Sequence, residues 1–439
     1  MARALSNLFS ASRLLLARLA GAGAGFLTQI VLARLLPPQD LGLFFAATSF
    51  AAVAGLVLTQ GYPGILQRFI TRYRERRRAC LLAGFVWQVQ SETVVLTIAM
   101  TLFIGGAGVL WPGLSSDQRL VAFSTALATA AAASLTIYNA AASVERRFEL
   151  AQFPETLIRP IAFLPLVFVL DRNWIVSAGT VTVLYTGLTA LLAVAQYIQI
   201  APALPTASKA ASSRVTRRWR AEALLSALAM LFATSFADLA IVLASPFLGP
   251  AGLAPFGIVL KVSLLVGFAV QVAHQVALPD LAEAYERKDA AKIARSLWQA
   301  TAFPTVITTL ALIAAMFGGE SFLLLFGPEY VSAHGALLIL LVAQLLRAAA
   351  GPSQSLLMLK GDQAANAAIC VACTAILLMA NAALVPIWGI HGASIAVLLT
   401  VAVWFGASAR MLVVRHGLRV DLPFLVGGFA RNSAGYRGG

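Results

Sequence analysis

The feature that most constrains this chain is a series of apolar runs, each long enough to cross a lipid bilayer. Hydrophobic residues make up 60% of the 439, charged residues only 11%, and the mean hydropathy is +0.84. Soluble domains carry roughly 25% charged residues, so a water-soluble fold is disfavoured. A crossing takes roughly 20 apolar residues, and its backbone must satisfy its own hydrogen bonds, which favours helices. The sequence therefore predicts an all-α integral membrane protein.

About twelve crossings are predicted when stretches of that length are laid along the chain. The first six are expected at residues 14–35, 41–65, 80–110, 120–143, 157–170 and 175–200. The second six are expected at residues 223–245, 254–278, 297–317, 336–359, 366–387 and 393–414. The fifth crossing is the shortest, because Arg159 and Pro160 interrupt its start.

Residues 201–220 form the longest polar interruption, and they lie near the midpoint of the chain. The interruption contains no acidic residue, and Pro202 and Pro205 end the helix before it. Its cations are Lys209, Arg214, Arg217, Arg218 and Arg220. We therefore predict an N-terminal six-helix lobe at 1–200, a basic cytoplasmic linker at 201–221, a C-terminal six-helix lobe at 222–414 and a cytoplasmic tail at 415–439.

The loops between predicted crossings differ in charge. The odd-numbered loops hold few cations, namely Arg34, Arg119 and Arg172, whereas the even-numbered loops and both termini hold most of the rest. By the positive-inside rule, both termini are expected in the cytoplasm. The net charge of +14 then suits anionic lipid headgroups and gives no reason to expect a nucleic-acid partner.

The two halves of the sequence contain a weak internal repeat. Residues 36–44 recur at 248–256, an offset of 212 (248 − 36), and Gly55 falls on Gly267 at the same offset. The matched pairs are Leu36 with Leu248, Pro38 with Pro250, Leu41 with Leu253 and Phe44 with Phe256. Six crossings per copy would place the copies in the same orientation, which implies a pseudo-two-fold axis along the membrane normal. The alternative is a chance match between short Leu, Pro and Gly strings.

Two features that resemble processing or redox motifs are better explained as membrane helices. The N-terminus resembles a signal peptide, but Arg18 interrupts its apolar part and the apolar stretch continues to Leu36, which favours an uncleaved first crossing. Cys370 and Cys373 form a CxxC motif inside an apolar run, where small helix-packing residues are the simpler interpretation than a metal or redox site. Cys80 lies at a predicted membrane boundary and indicates nothing further.

The sequence carries no signature of an enzyme. It has no phosphate-binding loop motif, and its four histidines do not form a metal-ligand cluster. The longest outward segment, residues 318–335, is too short for a catalytic domain. We therefore predict no enzymatic activity, cofactor or metal.

Several ionisable residues fall inside predicted crossings, where each costs about 2.5–3.5 kcal/mol on insertion scales. They are Arg18, Glu92, Arg159, Asp238, Lys261 and Arg347. Arg18 and Arg159 lie close enough to the cytoplasmic edge to reach the headgroups, and Lys261 could reach the outer ones. For Glu92, Asp238 and Arg347 we favour a polar interior, with a buried salt bridge between helices as the alternative.

The cations suggest the chemistry of a substrate. A cavity holding Arg18, Lys261 and Arg347 suits phosphate groups, because Arg forms bidentate hydrogen bonds and Lys supplies a point charge. The predicted substrate-binding residues are therefore Arg18, Lys261, Arg347 and Glu92, and a carboxylate could instead carry a coupling cation or proton. Helix breaks at Pro63 with Gly64, at Pro304 and at Gly351 with Pro352 are typical of helices that bend.

Three stretches give the chain a resemblance to a known family. Residues 30–44 (IVLARLLPPQDLGLF), 324–344 (LLFGPEYVSAHGALLILLVAQ) and 381–400 (NAALVPIWGIHGASIAVLLT) resemble the first hairpin, the approach to crossing ten and the last hairpin of the lipid-linked oligosaccharide flippases. These flippases belong to the multidrug, oligosaccharidyl-lipid and polysaccharide exporter superfamily. The resemblance covers nearly the full length, although each motif is a membrane turn and the specificity comes from their order.

The resemblance implies a MATE-like transporter of two six-helix lobes that alternates between inward-open and outward-open forms. It implies a substrate of oligosaccharide on undecaprenyl pyrophosphate, moved across the bacterial inner membrane for surface polysaccharides such as O-antigen or exopolysaccharide. Membrane lipids and a polymerase or export machinery would be its partners. Some relatives bind sodium, and Asp238 and Asn381 occupy similar places as coupling-ion residues. The second acidic ligand expected one turn after Asn381 is Val385, so a proton or the membrane potential could serve instead.

Two other functions remain open from the sequence. One is a cation-coupled multidrug exporter of the same superfamily, which the excess of cations over acids in the membrane disfavours. The other is a membrane enzyme such as a polysaccharide polymerase.

Overall fold

The computed structural model describes residues 2–173, 176–205, 212–287, 289–418 and 420, and every element in them is helical. Clustering of the Cα atoms divides the chain into two units. The first unit comprises residues 1–245 and 249–254, and the second comprises 246–248 and 255–439. The all-α prediction is confirmed. The lobe, linker and tail boundaries stay predictions, and most of the predicted tail lies outside the described residues.

The first unit begins with α1 to α5, at Ala2–Leu35, Pro38–Leu58, Tyr62–Glu75, Ala79–Leu110 and Ser116–Val144. Helix α6 (Phe148–Phe153) passes through a π-helical turn (Pro154–Ile158) into α7 (Arg159–Asn173), and α8 (Ala178–Ile200) ends in a 3-10 turn (Ala201–Ala203). Two of these helices start with capping boxes, Ser115 with Gln118 and Ser177 with Thr180, which satisfy backbone N–H groups of the first turn.

Helix α9 (Ser213–Arg287) enters the second unit and is broken at Ser235 and Gly249, where the backbone is not helical. It is followed by α10 (Ala290–Leu323), a 3-10 turn (Pro328–Ala333), α11 (His334–Ala349) and α12 (Ser353–Leu359). The last helix, α13 (Gln363–His416), is broken at Gly389.

Nine of the described helical stretches are long and apolar enough to span a membrane. Two of them, Thr234–Leu278 and Gln363–His416, contain the breaks at Gly249 and Gly389, where the sequence predicts loops between crossings. The membrane-spanning character of the chain is confirmed, whereas the total of twelve crossings and the cytoplasmic termini stay predictions. The predicted start of the fifth crossing is too late, because the π-helical turn carries the helix past Pro154 and Pro160.

Turns of one geometry end helices in both units. At Arg78 and Arg147 the backbone N–H donates five residues back, and the residue before each, Arg77 or Arg146, has a left-handed φ of 51° or 57°. Asp362 makes the same bond after Gly361, whose φ is 85°. This is the Schellman end of a helix, which usually takes glycine at the left-handed position.

The packing supports the internal repeat. Pro38 starts α2, and Pro250 follows the break at Gly249, at the predicted offset of 212. A Cβ on Gly55 would meet Ala132, and a Cβ on Gly267 would meet Gln344, so the residues they face are also 212 apart (344 − 132). A chance match between short strings would not reproduce partners on a second helix.

The first unit has an aromatic core that holds the start of α9. Trp219 is fully buried, and its indole N–H donates to the Tyr73 hydroxyl at 2.9 Å. Its ring lies 5.2 Å from the Phe85 ring. The end of the basic stretch is therefore helical and docked in the core, next to the predicted site residue Glu92 on α4.

Candidate functional site: polar groups inside the two units

Glu92 lies near the middle of α4 and is surrounded by hydrogen-bond donors. Its Oε2 accepts from the Tyr62 hydroxyl at 2.6 Å and from Gln60 Nε2 at 3.4 Å. Its Oε1 accepts from Arg220 Nε at 2.6 Å and also from Gln88, one turn earlier on α4. The carboxylate is therefore saturated by protein groups.

Arg220 is the charge partner of Glu92, although the two lie 128 residues apart in sequence. The Glu92 side chain is 15% exposed, whereas Arg220 is 58% exposed. The hydrogen bond and the charge of Glu92 raise the pKa of the Arg220 guanidinium, so it stays protonated at every physiological pH. Of the two interpretations offered by the sequence, a polar interior or a salt bridge between helices, Glu92 therefore fits the salt bridge.

The break in the second apolar run positions this cluster. Residues 59–61 form a turn between α2 and α3, in which Gln60 has φ of 51° and Gly61 has φ of 79°. A Cβ on Gly61 would collide with the backbone of Ala223 and Ala227 on α9. Glycine is needed at position 61 for both reasons, and the turn directs Gln60 and Tyr62 to Glu92.

Arg18 contacts the helix that carries the π-helical turn. Its guanidinium donates to Gln152 Oε1 on α6 at 2.9 Å. One turn later, a Cβ on Gly21 would collide with the carbonyl oxygen of Thr156 inside the π-helical turn. In the same turn, the Glu155 carboxylate accepts from Asn139 Nδ2 at 3.0 Å. π-Helical turns are frequent at functional sites, so this segment is a candidate independent of the sequence analysis.

Asp238 lies on α9 three residues after the break at Ser235. Its Oδ1 accepts from the Ser49 hydroxyl on α2 at 2.9 Å. Arg159 is close enough to interact electrostatically with both Asp238 and Glu155, and its guanidinium stacks over the Tyr185 ring at 5.2 Å. The first unit thus places its charged groups near groups of opposite sign.

Arg347 in the second unit has a different environment. It lies in the last turn of α11, and its guanidinium stacks over the Phe405 ring on α13 at 5.9 Å. Its Nε is buried without a hydrogen-bond partner. No described carboxylate forms an ion pair with it. The salt-bridge alternative therefore does not describe Arg347 within the residues that the structure covers.

His274 is a neighbour of Arg347 that the sequence analysis did not select for the site. It is 8% exposed, lies on α9, and is close enough for its charge to interact with that of Arg347. Its ring is hydrogen-bonded to the backbone of Ala300, while Nε2 is buried without a partner. Gln344, one turn before Arg347, also has a buried Oε1 without a partner. A lone histidine in an apolar run gives no sequence signal for such a contact.

Lys261 is partly buried on the same helix as His274. The two are 13 residues apart (274 − 261), which corresponds to roughly 20 Å along a helix. The structure therefore does not bring Lys261 to the group formed by Arg347 and His274.

Asn381 is buried on α13, and its Nδ2 donates to the Leu377 carbonyl one turn earlier at 2.8 Å. Its Oδ1 has no donor, which leaves an acceptor suited to a cation. Val385, one turn later, is buried and apolar. Asp238 belongs to the first unit and Asn381 to the second, so neither unit alone contains both coupling-ion residues. The described residues contain no group of three or more His, Cys, Asp or Glu side chains that could hold a metal ion.

Comparison with known proteins defines the class of fold. No protein-family profile matches the chain. No curated protein matches its sequence. Solved structures match over most of its length, at low identity.

An inward-facing multidrug resistance MATE family transporter of the MOP superfamily has a TM-score of 0.63 at 15% identity, over 91% of this chain and 94% of that one. The lipid II flippase MurJ, in an inward closed conformation, has a TM-score of 0.71 at 11% identity, over 91% and 87%. An outward-facing MATE transporter has a TM-score of 0.53 at 16% identity, over 96% of both chains. The chain has the multi-pass membrane fold of these transporters, so the MATE-like fold prediction is confirmed.

Proposed function

We propose that the chain is a flippase that moves an oligosaccharide linked to undecaprenyl pyrophosphate across the bacterial inner membrane, for surface polysaccharide synthesis, by alternating access. Its structural neighbours are transporters and a flippase, and we propose no enzymatic activity. Membership of the MOP superfamily and cytoplasmic termini belong to the same proposal. A polymerase or export machinery would act on the product.

The observation that carries the proposal is the Arg347 guanidinium, whose Nε is buried without an acceptor and which forms no ion pair with a carboxylate among the described residues. A buried charge is costly unless it is paired, and a buried Nε without an acceptor adds about 1–3 kcal/mol. A phosphate oxygen would supply both the negative charge and the acceptor. A cationic ligand would instead be repelled, so an anionic headgroup is the better occupant.

The other predicted site residues keep secondary roles in this proposal. Arg18 and Lys261 would meet the headgroup elsewhere along its path. Glu92 would organise the donors around it, Arg220 included, because its own oxygens are already occupied. Asp238 and Asn381 remain the proposed coupling-ion residues. The free Oδ1 of Asn381 suits sodium, while the contact of Asp238 with Ser49 suits a proton equally well.

Transport by purified protein tests the proposal. The protein would be reconstituted in vesicles with a fluorescently labelled lipid-linked oligosaccharide, and flipping would be followed by quenching. Losing a charge-assisted hydrogen bond costs about 1.5–3 kcal/mol, so Arg347→Ala should lower the flipping rate about tenfold to a hundredfold. Arg410→Ala removes an exposed arginine of α13 and is the matched control. Unchanged flipping by Arg347→Ala would remove Arg347 from the substrate site.

A cation-coupled multidrug exporter is the second candidate, and one observation in the first unit favours it. The rings of Phe44, Phe163 and Tyr185 lie 5.7–6.2 Å apart in a single cluster. Tyr185 is also close enough to interact with the Asp238 charge. The Arg159 guanidinium stacks over Tyr185 here, and a cationic drug would take its place over these rings beside the carboxylate. Drug efflux from a sensitised strain, lost in Asp238→Asn but kept in Arg347→Ala, would favour this candidate over the flippase.

A further inference from the structure

The chain turns at Gly417, where α13 ends. Gly417 ends α13 in the left-handed conformation (φ 66°, ψ 14°), and its N–H donates to the Val413 carbonyl at 2.9 Å. Beyond the turn, Val420 is only 1% exposed and packs in an apolar cluster with Leu281, Leu297 and Leu356. Leu418 packs against the same cluster. A segment following a last helix is usually solvated, so this degree of burial needs a cause.

The buried end of this segment contacts a helix break. The Val420 carbonyl accepts from the Thr301 hydroxyl on α10 at 3.4 Å. A Cβ on Gly351 would lie 2.6 Å from the same carbonyl oxygen. Gly351 also has φ of 61°, so both its conformation and the approach of Val420 require glycine.

The break that Val420 contacts lies between α11 and α12. Helix α11 ends at Ala349 and α12 begins at Ser353, so Gly351 and Pro352 interrupt them. Such interruptions are where a few residues absorb the backbone rotation of a moving helix. Arg347 lies one turn before Gly351, so movement at this break would displace its guanidinium.

A second contact fixes the base of the segment. Asp362, in the turn before α13, accepts from Arg415 at 2.5 Å and from His416 at 2.6 Å, directly before Gly417. The two anchors lie on either side of Gly417, one at Asp362 and one at Gly351.

We propose that Gly417, Leu418 and Val420 form a C-terminal strap that holds the break between α11 and α12 in the conformation seen here. Release of the strap would free α12, and with it the helix end that carries Arg347. The proposal does not depend on the transported substrate, because it concerns a contact within the second unit. It assigns a regulatory role to a segment outside the predicted crossings.

Cysteine labelling measures release of the strap directly. Ser353 is fully buried at the start of α12, so a Ser353→Cys thiol should react slowly with N-ethylmaleimide in membranes. The background would carry Cys80→Ser, Cys370→Ala and Cys373→Ala. Val420→Ser should raise the labelling rate at least about tenfold, because the local opening becomes more populated. Val414→Ser makes the same chemical change on α13 at a valine that is 72% exposed, and it should leave the rate unchanged.

A cross-link tests the strap with a covalent tether, which replaces the Thr301 hydrogen bond and the packing of the Val420 side chain. Thr301→Cys combined with Val420→Cys should form a disulfide under mild oxidation and slow the labelling of Ser353→Cys further. The reagent would be added after oxidation, and reduction should restore the rate. Equal labelling in Val420→Ser and Val414→Ser, or a cross-link that leaves labelling unchanged, would overturn the proposal. Neither readout uses transport, so failure of the flippase proposal would leave this result intact.

Discussion

The two units treat buried polar groups differently. In the first unit, charged side chains inside the bundle meet partners: Glu92 with Arg220, Arg18 with Gln152, and Asp238 with Ser49. In the second unit, buried polar atoms without a partner accumulate among the described residues. They occur at His274, Tyr330, Gln344, Arg347, Ser353, Asn366, Asn381, Ser394 and Ser408, against Gln29, Thr93, Thr97 and Gln196 in the first unit.

This difference matters because the internal repeat predicts the same arrangement of helices in both units. Each unsatisfied buried polar group costs about 1–3 kcal/mol, so a bundle that keeps many of them is less stable than its packing permits. Buried polar groups without a hydrogen-bond partner are often retained because they bind a ligand. We infer that the hydrogen-bonded groups of the first unit serve as a framework, and that the second unit offers more open polar groups to a ligand, in addition to the proposed roles of Arg18 and Asp238.

The largest expected effect on stability tests the framework. Replacing Glu92 with Leu should lower the free energy of unfolding in detergent by about 3 kcal/mol, since Tyr62, Gln60 and Gln88 lose their acceptor and Arg220 its counter-ion. The ion pair with Arg220 contributes little to this loss, because the Arg220 side chain is largely solvated. Glu75→Leu, at an exposed end of α3, is the control and should change stability little. Equal losses of stability in the two variants would show that the partners of Glu92 add no stability beyond that of a surface residue, and would contradict the framework role of the first unit.

The opposite sign is expected in the second unit. Arg347→Met should raise the free energy of unfolding by about 1–3 kcal/mol, because an apolar side chain replaces a buried charge without a counter-ion. Arg410→Met, at an exposed site, should have no effect. Thermal unfolding in detergent measures both. A loss of stability in Arg347→Met comparable to that of Glu92→Leu would mean that Arg347 belongs to the framework.

Much of this architecture could be predicted from local sequence. The third crossing is predicted at 80–110 and the helix is Ala79–Leu110, because nothing in that run competes with helical hydrogen bonding. The sequence predicts that the fifth crossing starts at residue 157, because Arg159 and Pro160 look like an interruption, whereas the apolar helical stretch already begins at Phe148. The π-helical turn and the stacking of Arg159 on Tyr185 accommodate them.

The partners inside the units could not be predicted in this way. Glu92 stands out because a carboxylate in an apolar run is costly, but its counter-ion lies 128 residues away, in a stretch that looks like a solvated linker. The proximity of His274 to Arg347 likewise depends on packing between two helices. Sequence periodicity identifies the costly residue, and only the packing shows what compensates it.

A smaller difference in stability is expected between alanine substitutions at Gly55 and Gly267, which occupy matched positions of the repeat. Gly55→Ala would press a methyl group on Ala132 and on backbone atoms of α5, which cannot move without shifting the helix. Overpacking of that kind costs about 1–3 kcal/mol. Gly267→Ala would meet the end of the Gln344 side chain, which can rotate away, so its cost should stay under about 1 kcal/mol. Chemical unfolding of both variants checks this, and equal costs would contradict it.

The smallest expected effect concerns pH at the base of the strap. Hydrogen bonds from His416 and Arg415 hold the pKa of the Asp362 carboxyl below its ordinary value. A lowered pKa stabilises the fold above the unfolded value of about 3.9, and the stabilisation is lost as pH falls through the lower folded value. In a His416→Gln background, where this carboxyl titrates without the imidazole, the stability difference between Asp362 and Asp362→Asn should be constant from about pH 8 to 5. It should shrink only below about pH 4, and a difference already lost at about pH 6 would show that it does not come from ionisation of Asp362.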